Sequence, residues 1–150
     1  AFAKKVVDTF VESEFHDLDR VLMFQGMEGY DDVRPGYTKV AEWDATGGDA
    51  EDGSEGASFD DFEIETAEYG MDLEEEDLAV DDVGADSAAI TEEVLAGERD
   101  DAFADAVAVN AALRIYARED ADSIEAGLEA AREVIDDGSA LAVLEELRAF

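Results

Sequence analysis

Val21-Leu22-Met23-Phe24, flanked by Arg20 and Gln25 and ended by Gly26, is an unbroken apolar run of strand length. A run this short, without polar alternation, reads as a strand buried on both faces, and such strands are ordinarily parallel. Upstream, Ala3, Val6, Val7, Phe10 and Val11 recur at helical spacing, with Phe15 near the end of the pattern. Acidic residues, Lys4 and Lys5 take the other face. A helix followed by a buried strand is half of a βαβ unit, so the expected class is α/β. Residues 26–37 carry Gly26, Gly29, Pro35 and Gly36 and therefore form a loop. The loop lies at the carboxyl end of the strand, where open α/β sheets keep their ligand sites.

The next stretch, Thr38 to Trp43, alternates as a half-buried strand does. Residues 44–61 are rich in Asp, Glu, Gly and Ser without apolar periodicity and read as an exposed, mobile acidic insert. Alternation resumes from Phe62 to Tyr69, predicting a strand antiparallel to the previous one. Residues 72–82 form an acidic connection anchored by Leu73, Leu78 and Val80. The rest, residues 86–149, is helical. Asp86 caps a helix ending near Ala96 before Gly97. A second helix carries Phe103, Ala106, Val107, Asn110, Ala111, Leu113 and Ile115 on a buried side. Asp122 with Glu125 opens a third like a capping box, and Ser139 caps a fourth bearing Leu141, Leu144 and Leu147. The expected architecture is a mixed sheet remnant of about three strands covered by about five helices.

Charge narrows the function. Forty-three acids face ten basic residues, for a net charge of −33. A chain without a basic footprint is not a phosphate-tracking nucleic-acid binder, and anionic membranes repel it. No apolar run approaches the roughly 20 residues of a membrane span. The 47% apolar content argues for a packed core rather than an acidic disordered chain. A folded domain with a carboxylate-rich surface matches cytoplasmic proteins of salt-in halophiles. At about 1 M salt the Debye length is only ~3 Å, so mutual repulsion is screened. Lysine occurs only at positions 4, 5 and 39, against seven arginines. With no cysteine, disulfides, zinc thiolates and cysteine nucleophiles are excluded.

The loop Gly29-Tyr30-Asp31-Asp32 holds the candidate chemistry. Two adjacent carboxylates beyond a buried strand suit Mg²⁺, which takes one or two carboxylates together with waters and substrate phosphates. The bland alternative is a solvated acidic loop: 43 acids in 150 positions give about 12 adjacent acidic pairs by chance, and the sequence holds 12. Ala45-Thr46-Gly47-Gly48-Asp49 has the letters of a phosphate cradle, but no helix follows it and its acids repel phosphate, so a flexible insert is expected. His16 reads as a lone surface histidine. No serine sits in a GxSxG context. Asn110 is expected as a buried structural amide with a backbone partner. Trp43 and Tyr37 read as packing residues.

The order of segments resembles the carboxyl-terminal part of the anthranilate phosphoribosyltransferase family. RVLMFQGMEGYDDV (20–33) is similar to the family's apolar strand, then His-Gly or a relative of it, then Gly-Leu-Asp-Glu-Val/Ile before Ser-Pro. Pro35 keeps the proline, and Thr38 stands for the threonine before the next strand. DSAAITEEVLAGE (86–98) resembles the Glu-Asn-Ala…Val-Leu-Ala-Gly helix, and DAVAVNAALRIY (105–116) the Asp-Ala-Val-x-x-Asn-Ala-Ala helix. The tail from Ser123 to Leu147, with Gly127 and Ala131, follows the closing pattern. Together these cover roughly 100 residues.

The resemblance implies a nucleoside-phosphorylase-like α/β domain paired with a small helical domain. It also implies transfer of phosphoribose from phosphoribosyl pyrophosphate to anthranilate in tryptophan biosynthesis. Mg²⁺ bridges the pyrophosphate in that family, and its carboxylate ligands fall by position on Asp31 and Asp32. Asp32 shortens the usual Glu by one methylene, Arg34 replaces a serine, and Ser87 replaces an asparagine. The family's phosphate loop, Lys-His-Gly-Asn segment, anthranilate-contacting arginine and helical domain have no counterpart in the 150 residues. With Ala1 at its start, the chain is expected to begin about halfway through such an enzyme and to be inactive alone. Two other expectations stand beside it: a pyrimidine-nucleoside-phosphorylase-like paralogue, and a non-catalytic binding or assembly domain forming a salt-dependent oligomer such as a homodimer.

Overall fold

The computed structural model describes residues 2–13, 18–26, 29–49 and 55–150. The chain divides into two compact units, Ala1–Glu65 and Thr66–Phe150.

The first unit holds helix α1 (Phe2–Val11) and three strands, β1 (Arg20–Gln25), β2 (Tyr37–Asp49) and β3 (Glu55–Glu65), in the order β1-β2-β3. Both ladders are antiparallel. Phe24 faces Val40 in the first, and Val40 faces Phe62 in the second. The expected parallel setting of β1 is thus corrected, and the sheet, expected as mixed, is antiparallel throughout among the described residues. The cause is the connection: no helix is described between β1 and β2, and a parallel pair requires a long crossover. β1 is accordingly half-buried along its length rather than enclosed.

The acidic segment 44–61, expected as a loop, is also corrected. β2 continues to Asp49 and β3 begins at Glu55, with Gly48 opposite Gly56 and an irregular register between Asp44 and Gly48. The strands lengthen here on backbone hydrogen bonds, which require no apolar side chains. At its other end β3 stops at Glu65, and Thr66–Tyr69 is a 3₁₀ turn rather than strand. Among the described residues, Val7, Val33, Val40, Ala41 and Ile64 are the buried apolar residues of this unit. Arg20 bridges two carboxylates of β2, Glu42 at 3.0 Å and Asp44 at 2.6 Å, all three side chains being about 15% exposed or less.

The second unit is helical: α2 (Val83–Leu95), α3 (Ala102–Ala117), α4 (Ile124–Asp136) and α5 (Ser139–Arg148). With α1 this gives the expected five helices. The caps fall differently from the reading of the sequence. Asp82, not Asp86, caps α2 by accepting from the Gly84 and Ala85 amides, while Asp86 accepts from the Asp82 amide. Ser123 caps α4 through the Ala126 amide. Ser139 is the first residue of α5 rather than its cap, and its amide donates to Asp137. Ala108, Val109, Ala112 and Leu113 of α3 are buried, as are Leu128, Ala131 and Ile135 of α4. The two helices approach so closely at Gly127 that a Cβ there would lie 2.7 Å from the Ala112 carbonyl oxygen. Asn110 donates to the Ala106 carbonyl at 2.9 Å, the backbone partner a part-buried amide needs.

Candidate metal-binding loop

The loop after β1 closes on itself before it reaches the acids. The Gly26 amide donates to the Tyr30 carbonyl at 2.7 Å, and the Gly29 amide donates to the Gly26 carbonyl at 3.2 Å. A Cβ on Gly26 would sit 2.5 Å from the Asp32 carbonyl oxygen, so only glycine lets the loop fold back this tightly. Val33 and Pro35 are buried beyond the acids and fix the return into β2. Asp31 and Asp32 lie between these two anchors, Asp31 exposed and Asp32 half-buried.

One cation accompanies them. Arg34 Nε donates to Asp32 Oδ1 at 3.3 Å. The Arg34 guanidinium lies 3.7 Å from the centre of the Tyr30 ring, within cation–π range. Sequence reasoning named Arg34 only as a departure from serine. Its spacing of two residues from Asp32 is the signal that could have pointed to the pair.

The two expected ligands therefore share one loop. Among the described residues no cluster of three His, Cys, Asp or Glu side chains could hold a metal. His16 lies outside the described residues. The donor chemistry present, two carboxylates on an accessible loop, fits the protein share of a Mg²⁺ site whose other positions go to water and phosphate. Asp32 offers it under competition, since Arg34 already engages one of its oxygens.

The remaining candidates are structural. Thr46, in the glycine-rich segment, donates its amide and hydroxyl to Asp44 Oδ1 at 2.8 and 3.0 Å, so these donors already serve a carboxylate. The same segment is β-strand instead of a flexible insert. Asp44 is held below the ordinary carboxylate range, chiefly by its bond from Arg20 and next by the Thr46 amide. Thr38 is fully buried at the start of β2, and its hydroxyl has no hydrogen-bond partner among the described residues. Tyr37 is 42% exposed, with Lys39 at 5.7 Å from its ring, so it is less a packing residue than its sequence context implies. A groove of about 490 Å³ crosses the sheet, lined by Met23, Phe24, Lys39, Val40, Ala41 and Phe62 among others, and includes neither Asp31 nor Asp32. No helix among the described residues is long and apolar enough to cross a membrane.

Known proteins are similar to this chain in sequence and fold. The anthranilate phosphoribosyltransferase of Natronomonas pharaonis is 32% identical over 134 residues, covering 89% of this chain and 37% of that protein. The enzyme of the same name from Rubrobacter xylanophilus is 32% identical over 128 residues, covering 85% and 34%. The chain thus spans about a third of the length of these curated relatives. The crystal structure of anthranilate phosphoribosyltransferase from Thermus thermophilus superposes with a TM-score of 0.65 at 28% identity, over 85% of this chain and 34% of that one. The Saccharomyces cerevisiae enzyme, in complex with phosphoribosyl pyrophosphate and Mg, shares the fold at a TM-score of 0.64 and 23% identity, over 83% and 33%. A family model described as the glycosyl transferase family, a/b domain, matches residues 2–141, nearly the whole chain, and the chain belongs to that family.

Proposed function

We propose that this chain forms the carboxyl-terminal part of the α/β domain of an anthranilate phosphoribosyltransferase, and that Asp31 and Asp32 are its contribution to the Mg²⁺ site. The observation that carries the reading is the closed loop Gly26–Pro35. It presents two adjacent carboxylates at the end of a strand, in a chain whose relatives are enzymes of that name. In the reaction, the anthranilate amine attacks the ribose C1 of phosphoribosyl pyrophosphate as the bond to pyrophosphate breaks. Mg²⁺, when bound, offsets the charge that builds on the departing pyrophosphate. The chain's own residues hold and orient. Gly26 permits the tight closure, Val33 and Pro35 anchor the exit, and Asp31 and Asp32 offer oxygen ligands from a fixed backbone. The phosphate loop and the helical domain that complete the site belong to the remainder of a full-length enzyme, so the segment alone does not turn over.

Two measurements in molar KCl test this. The purified 150-residue chain is expected to form no phosphoribosyl anthranilate from phosphoribosyl pyrophosphate, anthranilate and Mg²⁺; turnover refutes the incompetence of the segment. Mn²⁺, a paramagnetic stand-in, is expected to broaden the Tyr30 ring resonances, and Asp31→Asn or Asp32→Asn to weaken that effect. Unchanged broadening in both variants overturns the metal assignment.

A further inference from the structure

Arg34 is the one residue of the loop whose chemistry opposes the proposed role of its neighbours. Among its interactions, Nε donates to Asp32 Oδ1 at 3.3 Å, and the guanidinium stacks 3.7 Å from the Tyr30 ring centre. The ring limits where the guanidinium can go, and the residue is short of full exposure, with 27% of its side chain accessible. A planar, permanently charged group held this way is a resident counter-ion for Asp32. A divalent cation seeking the same carboxylate meets a positive charge already in place.

We propose that Arg34 is a positioning residue of the loop, an intramolecular competitor that lowers its affinity for a free divalent cation by holding Asp32. The inference rests on the metal role proposed for Asp31 and Asp32. It has a direction that a merely structural arginine would not produce. Removing a residue that only braces the loop loosens the ligands and weakens metal binding. Removing a competitor tightens it. Tyr30 belongs to the device because its ring face is where the guanidinium rests. Lysine cannot reproduce the stacked plane, but it keeps the positive charge beside Asp32.

The experiment is a Mn²⁺ titration of the whole 150-residue chain in molar KCl, read from the ring signals of selectively labelled tyrosine. Tyr30 is assigned by its disappearance in Tyr30→Phe. The same titration of Asp31→Asn and Asp32→Asn measures the broadening caused by cations gathered by acids elsewhere, which is subtracted. Arg34→Ala is expected to tighten Mn²⁺ binding about two- to fivefold, the scale of a partly exposed ion pair. Arg34→Lys is expected to stay within about twofold of the parent. Far-UV circular dichroism matching the parent establishes that each variant is folded. Equal or weaker binding by Arg34→Ala overturns the inference. If Asp32→Asn abolishes the broadening while Arg34→Ala leaves it unchanged, the competitor role fails and the metal loop stands. If neither aspartate matters, both fail together.

Discussion

Replacing Gly127 by alanine tests the packing that joins α3 to α4. In an isolated helix the change is favourable, by up to about 1 kcal/mol, because glycine costs more backbone entropy. Here the added Cβ would lie 3.3 Å from the Ala112 carbonyl carbon and Cα and only 2.7 Å from its carbonyl oxygen, inside the 3.0 Å limit that real Cβ atoms respect. The obstacle is helix backbone, which cannot rotate away. The helices must part by a few tenths of an ångström, loosening the α3–α4 packing in which Val109, Leu113, Leu128 and Ala131 are buried. Overpacking of this kind costs about 1–3 kcal/mol. Net of propensity, Gly127→Ala should destabilise by about 1–2 kcal/mol. The assay is urea denaturation in molar KCl followed at 222 nm. A urea dependence of about 2 kcal/mol per M places the fall in midpoint near 0.5–1 M. Gly84→Ala is the control. It is also helical, but its Cβ would meet only Asp82 Oδ1 at an ordinary 3.5 Å, so its midpoint should hold or rise. A Gly127→Ala midpoint equal to or above the parent's, with Gly84→Ala behaving as stated, refutes close approach as the reason for glycine at 127.

The remaining predictions concern charge and one buried hydroxyl. Lowering KCl from molar to about 10 mM lengthens the Debye length from ~3 to ~30 Å. At a net charge of −33 the helical circular-dichroism signal should then fall, and an unchanged signal contradicts a salt-requiring fold. The lowered Asp44 value sets a pH dependence. Its contribution is fully present above the ordinary value of 3.8 and is lost as the pH drops through the lowered folded value. Asp44→Asn should therefore flatten that part of the acid-unfolding curve and cost about 1–2 kcal/mol at neutral pH. This is less than for a fully buried pair because Glu42 still neutralises Arg20. A stability–pH curve parallel to the parent's below pH 4 would count against it. Thr38→Val removes a buried hydroxyl without a partner among the described residues, so stability should be unchanged or higher by about 1 kcal/mol. A loss of that size would reveal a hydrogen bond to the hydroxyl.

What the sequence reveals follows from where apolar side chains decide the structure. Val21 to Phe24 mark β1 because an apolar run of strand length pairs into a sheet even where it is only half-buried, and the glycines around Asp31 mark the loop because its backbone must turn sharply. The sense of β1 is not written in β1 itself but in the connection to Tyr37, which holds no described helix. The extension of the hairpin past Asp44 is invisible to hydrophobic patterning, since backbone amides and carbonyls hold it. At the start of α2, Asp81, Asp82 and Asp86 all have capping chemistry. Only geometry separates Asp82, which accepts from Gly84 and Ala85, from Asp86, which accepts from Asp82. The same ambiguity governs the site. Where 43 of 150 residues are acids, the position of one more carboxylate carries little information. The position of a cation carries a great deal. Arg20 joins two carboxylates of β2, Arg99 joins Glu93 to Asp101, Arg132 reaches Asp105 from the next helix, and Arg148 pairs with Glu92. Each of these four arginines marks a place where like-charged segments are held together. Arg34 differs: the carboxylate it holds is two residues away in the same loop and is one of the two that we propose as metal ligands. In a chain this acidic, the few arginines are the residues from which both fold and function are best read.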